Sequence, residues 1–136
     1  MAHVTQAEYE TLAALRYSLR KFLHFSEETA RSAGLTPQQH QALLSVKGAP
    51  GGAARMTISQ LAEWMQIQHH SAVGLVDRLA AQGLLRREPS QADRRQVFVT
   101  LSARGSAVLE RLSTAHKDEL RRTLPELREL MARLSR

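Results

Sequence analysis

The chain has 136 residues and carries 19 Lys+Arg against 13 Asp+Glu, a formal charge of +6 with histidine neutral. That length suits one domain, and 43% hydrophobic residues with only 4% aromatic ones predict an aliphatic core. The absence of cysteine excludes disulfide frameworks, thiolate zinc sites and iron–sulfur clusters. No run of about 18 uncharged apolar residues occurs, and the first ten residues carry acids without an apolar stretch, so the sequence predicts a soluble, cytoplasmic protein with neither membrane span nor signal peptide. A sequence pI near 10.7 favours a polyanionic partner such as nucleic acid. The positive excess is densest between Leu84 and Arg104.

From Thr5 to Ala33, Leu12, Leu15, Leu19, Phe22 and Leu23 recur at helical spacings without proline, predicting one long amphipathic helix that Gly34 stops. Thr36-Pro37-Gln38-Gln39 is a capping box with proline at the first helical position, opening a second helix that runs to about Lys47. The run Gly48-Ala49-Pro50-Gly51-Gly52 predicts a flexible loop. A second capping box, Thr57-Ile58-Ser59-Gln60, opens a short helix with Ile58, Leu61, Ala62 and Met65 inward. In His69 to Gln82, Ala72, Leu75, Val76 and Leu79 form the inner face of a further helix, and Gly83 suits the residue that closes it.

After Gly83 the apolar period shortens to two. Leu84–Glu88 and Gln96–Leu101 read as strands joined by the basic, turn-rich segment Pro89–Arg95, a hairpin. Ser102 can cap another helix, Pro125 predicts a break in it, and the last segment carries Leu124, Leu127, Leu130, Met131 and Leu134 as an apolar stripe. A helix of about a dozen residues is marginal alone, so this stripe is expected to pack between subunits.

Two short helices separated by a tight turn and followed by a basic hairpin predict a mainly α fold with a small β-hairpin, a winged helix-turn-helix. In such a module the second helix enters the major groove and the hairpin follows phosphates or the minor groove. Helical-wheel arithmetic turns His70, Gly74, Asp77 and Ala81 away from the apolar face, which leaves His69, His70 and Ser71 as groove readers and lets Gly74 bring DNA close to the backbone. The His69-His70 pair is also open to a metal or a purely solvated reading. Trp64 reads as a packing residue of the winged lobe. No Gly-x-Ser-x-Gly, phosphate loop or His-Glu-x-x-His is present, so no enzyme is predicted and no cofactor or metal is assigned.

The runs Ile58-Ser59-Gln60-Leu61-Ala62-Glu63, Leu75-Val76-Asp77-Arg78-Leu79, Gln82-Gly83-Leu84-Leu85-Arg86-Arg87, Asp93-Arg94-Arg95 and Thr100-Leu101-Ser102-Ala103-Arg104-Gly105 resemble the multiple-antibiotic-resistance-regulator (MarR) family of transcription regulators. The resemblance departs at Val73 and Gly74, where many members carry Thr and Arg, and at Gln66, where the turn usually has glycine. It implies one domain over residues 1–136, with dimerisation helices in 1–35 and 102–136 around a winged lobe in 36–101. It further implies a homodimer that binds a pseudopalindromic operator in double-stranded DNA, as a repressor released by a small, aromatic-acid-like effector. The DNA-contacting set on this reading is Ser59, Gln68, His69, His70, Ser71, Gly74, Arg78, Arg86, Asp93, Arg94 and Arg95. By the same resemblance Asp93 and Arg95 brace the hairpin while Arg94 reaches the DNA. The ligand-binding set is Arg16, Arg20, Phe22, His24, Phe25 and His40, although Arg16 and Arg20, at i and i+4, also suit pairing with glutamates. A winged-helix module that binds protein instead of DNA, and a metal-responsive regulator, are the alternative readings.

Overall fold

The computed structural model describes residues 3–93 and 95–136. Its elements run α1 (Gln6–Ser32), α2 (Pro37–Lys47), β1 (Arg55–Thr57), α3 (Ile58–Met65), α4 (His69–Ala81), β2 (Leu85–Pro89), β3 (Val97–Leu101) and α5 (Ala103–Leu134). They divide into two units, Ala30–Leu112 and the pair of segments Met1–Thr29 and Ser113–Arg136.

In the first of these units, local chemistry sets each boundary. Both capping boxes form: Thr36 Oγ1 accepts from Gln39 N–H while Gln39 Oε1 accepts from Thr36 N–H, each at 3.1 Å. Thr57 and Gln60 repeat the exchange at 2.9 and 3.1 Å at the head of α3. Each box satisfies two of the helix's otherwise orphaned N–H groups. The apolar faces then converge, with Leu43, Val46, Met56, Leu61, Leu75, Val76, Leu79 and Val99 all but sealed from solvent. A fully buried leucine of this kind contributes about 1.5–3 kcal/mol.

The sheet has three strands in the order β1-β3-β2, both pairings antiparallel, so the predicted hairpin is extended by a strand that lies between the predicted loop Gly48–Gly52 and the helix opened by Thr57. Three residues, Arg55–Thr57, are too few to show an alternating pattern, and the last of them doubles as the cap of α3. Met56 pairs with Val99, so the two side chains share the inner face of the sheet. On β2, Leu85 and Arg87 share that face at period two, Leu85 buried and Arg87 at its rim.

α5 is one continuous helix of 32 residues with Pro125 inside it, which corrects the predicted break and the short terminal helix. Proline fits helical φ, and its missing N–H leaves only the Arg121 carbonyl without a helical donor. Arg121 and Pro125 are both exposed, so water can take that carbonyl.

The other unit holds residues of α1 and α5. Phe22 and Phe25 set their ring edges against His116, at centroid distances of 5.8 and 5.5 Å, and His116 Nε2 lies 2.8 Å from Ser26 Oγ. Leu130 is buried, but Tyr9, Leu12, Tyr17, Leu19 and Leu23 on α1 and Leu120, Leu124 and Met131 on α5 stay exposed.

Candidate nucleic-acid interface

α3 ends at Gln66, which takes the left-handed conformation (φ 56°, ψ 46°). Its N–H closes the helix onto Ala62 and Glu63, and its side-chain Nε2 donates to Glu63 O at 2.8 Å, so glutamine supplies a bond that glycine could not. Two residues later Gln68, extended and without a side-chain cap, leads into α4. Ala72, Leu75, Val76 and Leu79 are buried, while Gln68, His69, His70, Ser71, Asp77 and Arg78 are exposed and Gly74 is half-buried. The outward face of α4 is therefore polar from its first residue to its last turn.

The beginnings of α3 and α4 face the turn end of the hairpin across a groove of about 310 Å³, lined by Thr57, Ile58, Ser59, His69, Arg95, Gln96 and Val97. Ser59 Oγ and His69 Nδ1 lie 3.5 Å apart within it. This lining offers a guanidinium, an imidazole, hydroxyls and an amide, and no carboxylate. Thr57 and Gln96 belong to it although the sequence reading passed over both. Thr57 is legible only as a cap, and Gln96 only as the residue following Asp93-Arg94-Arg95.

The hairpin tip is organised by Ser90 and Asp93. Ser90 Oγ accepts from the N–H groups of Ala92 and Asp93 at 3.2 Å each, and Asp93 Oδ1 accepts from Arg95 N–H at 2.9 Å. Gln96 N–H closes the turn onto Asp93 O at 3.0 Å. The Arg95 side chain is exposed, its Nε 3.8 Å from the same Asp93 carboxylate oxygen. Arg94 lies outside the described residues. Arg86 is exposed on β2, whereas its neighbour Arg87, absent from the predicted set, pairs with Asp77 on α4. Arg55 stacks its guanidinium 4.2 Å above the Phe98 ring on the same sheet.

Trp64 is 55% exposed, which corrects its reading as a packing residue: it borders a small cavity with Pro50, Arg55 and Glu63 instead of filling the core. Among the ligand-binding residues, Arg16, Arg20 and His24 are exposed on α1, and Phe22 and Phe25 pack on His116 as described. His40 is 3% exposed in α2. Among the described residues no three His, Asp or Glu side chains cluster as metal ligands would, and no helix is long and apolar enough to cross a membrane.

A short helix, a tight turn, a second helix with a polar outer face and a hairpin packed beside it define a winged helix-turn-helix. Residues 33–96 match the MarR family. The transcriptional activatory protein BadR of Rhodopseudomonas palustris is 32% identical over 98 residues, covering 71% of this chain; the chain spans 55% of that relative's length. AbsC, a MarR family transcriptional regulator from Streptomyces coelicolor, superposes with a TM-score of 0.73 at 24% identity, over 93% of this chain and 84% of that one. A point mutant of MepR from S. aureus, solved bound to an oligodeoxyribonucleotide, superposes with a TM-score of 0.68 at 18% identity, over 90% of this chain and 91% of that one.

Proposed function

We propose that this protein is a homodimeric, sequence-specific DNA-binding transcription regulator. The observation that carries the reading is the groove where Ser59, His69, Arg95 and Gln96 meet beside the N-termini of α3 and α4, with no acid among its lining residues and the Asp93 carboxylate 3.8 Å from Arg95 Nε. Helix N-termini present N–H groups and a positive dipole end to a phosphate, and the side chains add hydrogen-bond donors and a fixed charge. His70 and Ser71, exposed on the first turn of α4, then reach base edges once the phosphates set the register. The DNA-bound MepR structure supports this use of the fold.

Exposed apolar side chains on both terminal helices support pairing of two copies, and two-fold symmetry then demands inverted half-sites. We read the regulator as a repressor, because a dimer seated on a promoter excludes polymerase by occlusion and needs no further contact surface. A site placed upstream of the promoter would serve activation, the role in BadR's name. Release by an aromatic carboxylate is supported by the exposed Arg16, Arg20 and His24 on α1 and the nearby Phe22 and Phe25. Titrating salicylate-like acids into the DNA complex and following dissociation tests that part.

Selection of binding sites from random duplex DNA tests the main reading. The expected product is an inverted repeat with half-site centres roughly one helical turn, about 10 base pairs, apart. His70→Ala is expected to lose about 1–3 kcal/mol on the selected duplex and less on random DNA. Failure to enrich any sequence, with binding insensitive to salt, would favour a protein-interaction module.

A further inference from the structure

The groove beside α3 and α4 holds a pair of side chains whose donor count depends on one proton. Ser59, in the first turn of α3, and His69, the first residue of α4, place Oγ and Nδ1 3.5 Å apart, at the outer limit of a hydrogen bond. Both residues are exposed, so a ligand on the surface can reach them. A neutral imidazole has one N–H and one acceptor nitrogen, and a hydroxyl has one hydrogen to give. With Nδ1 as the acceptor, the Ser59 hydroxyl hydrogen is spent on it, and only Nε2–H remains for an incoming anion. With the hydrogen on Nδ1, the ring donates to Ser59 Oγ and frees the hydroxyl hydrogen, but Nε2 is left as an acceptor that repels an anion. Either neutral form therefore offers one donor. A protonated ring donates Nδ1–H to Ser59 Oγ and still has Nε2–H, beside the freed Ser59 O–H. One proton thus turns one donor into two and adds a positive charge.

The surroundings leave the counter-charge to the ligand. From α3 and its cap the groove is lined by Thr57, Ile58 and Ser59, none of them titratable, and from the hairpin by Arg95, Gln96 and Val97. The acid beside this lining is Asp93, whose Oδ1 accepts Arg95 N–H at 2.9 Å and lies 3.8 Å from Arg95 Nε. Glu63 of α3 and Arg55 of β1 border the separate cavity beside Trp64. On α4 itself the ionisable groups are His70, the next residue, and Asp77 and Arg78 two turns on, with Asp77 paired to Arg87.

We infer that Ser59 and His69 form a proton-gated clamp for a DNA phosphate, so that binding draws a proton onto the groove and tightens as pH falls. The inference rests on the DNA reading above and adds its regulation. Its sign follows from linkage: affinity rises with falling pH wherever the complex holds more protons than the free partners. Phosphodiesters stay ionised from about pH 5.5 to 8, whereas imidazoles exchange their proton near about 6.5. A charge-assisted bond in place of a neutral one, with one more donor, corresponds to about tenfold in affinity per clamp.

The test measures affinity at constant ionic strength from about pH 5.5 to 8, on a duplex selected from random DNA and shortened to one half-site. The parent is expected to bind about tenfold more tightly at the acid end. His69→Gln, which cannot take the proton, should bind with nearly the same affinity at both ends. Ser59→Ala removes the second donor but not the charge, and should cut the ratio to about threefold. His70→Gln should bind more weakly at every pH yet keep the tenfold ratio. The dependence of log K on log salt should be steeper by about one unit at acid pH in the parent and not in His69→Gln. Without DNA, the His69 ring resonances, assigned by their loss in His69→Gln, report the same pair. Replacing chloride by sulfate at equal ionic strength should shift them at about pH 5.5 and hardly at about pH 8, with a smaller effect in Ser59→Ala. Equal pH ratios in the parent and His69→Gln, or a ratio abolished by His70→Gln instead, would overturn the clamp and leave the DNA reading standing. A parent that selects no duplex, yet whose His69 resonances answer sulfate at acid pH, would overturn the DNA reading and the assignment to DNA phosphate, leaving a proton-gated anion site. A parent that does neither would overturn both.

Discussion

Arg87, on the first strand of the wing, donates through its guanidinium to the carboxylate of Asp77, on the outward face of the recognition helix. The pair holds an arginine beside the proposed DNA surface while neutralising it. With the side chains 39% and 58% exposed, it contributes no more than about 0.5–1 kcal/mol to folding. Asp77→Asn should therefore leave stability nearly unchanged. It releases a cation and removes an acid facing phosphates, so the dependence of log K on log salt should steepen by about one unit. Gel-shift titrations at several salt concentrations measure this, and a slope equal to the parent's would place Arg87 and Asp77 outside the DNA contact.

Gly74 gives a prediction with two opposite signs. A Cβ added there meets only Arg78 Nη1, at 3.5 Å, an ordinary contact, so the fold itself does not demand glycine. Within a helix, Gly74→Ala should add about 0.5–1 kcal/mol of stability. If DNA approaches the backbone at this point, the same methyl group stands in its way, and a tenfold weaker complex corresponds to about 1.4 kcal/mol. Urea unfolding and fluorescence anisotropy measure the two effects separately. Gained stability with unchanged affinity would mean that DNA passes elsewhere on α4.

The turn between α3 and α4 rests on a non-glycine residue at positive φ, Gln66, held by its own side chain. Gln66→Gly removes about 1 kcal/mol of left-handed strain but loses a hydrogen bond of similar worth and frees the unfolded chain, so its net effect should be close to zero. Gln66→Val should destabilise by about 1–2 kcal/mol, since a β-branched residue is strained at positive φ and cannot donate to Glu63. The midpoints of urea unfolding give the comparison. A valine variant as stable as the parent would show that the turn can relax out of the left-handed region.

The parts of this fold that the sequence announced are those decided within a few residues. Thr36 with Gln39, Thr57 with Gln60, and Gly83 after an apolar face are local pairings, and each lies where spacing places it. What stayed hidden depends on partners distant in the chain. β1 exists because Met56 pairs with Val99, and Arg87 matters because the sheet register turns it toward Asp77 rather than outward with Arg86. His116 gathers Phe22 and Phe25 from the far end of the chain, and Pro125 stays helical because its surroundings are open to water. The groove was half legible for the same reason. The polar outer face of α4 follows from its period, but the approach of Arg95 and Gln96 to Ser59 and His69 follows from how the hairpin packs.

Leu124 and Met131 lie seven residues apart on α5, hence on one stripe, and are 39% and 59% exposed. Leu12, Leu19 and Leu23 are exposed likewise on α1. Covering such side chains against a second copy is worth about 1.5–3 kcal/mol for each one fully buried, so a few suffice to hold a dimer. The double variant Leu124→Glu, Met131→Glu would place two charges on that stripe in each copy. It is expected to sediment as a monomer while the winged unit, whose core lies in residues 30–112, still melts cooperatively. Affinity for one half-site should then be unchanged, because the reading face is untouched. Affinity for the full inverted repeat should fall by about a hundredfold or more, since the second half-site no longer benefits from being tethered to the first. A double variant that stays dimeric would assign the exposed stripe to another partner and move the subunit contact elsewhere on α1 and α5. A monomer that kept full affinity for the repeat would instead show that each copy binds its half-site alone.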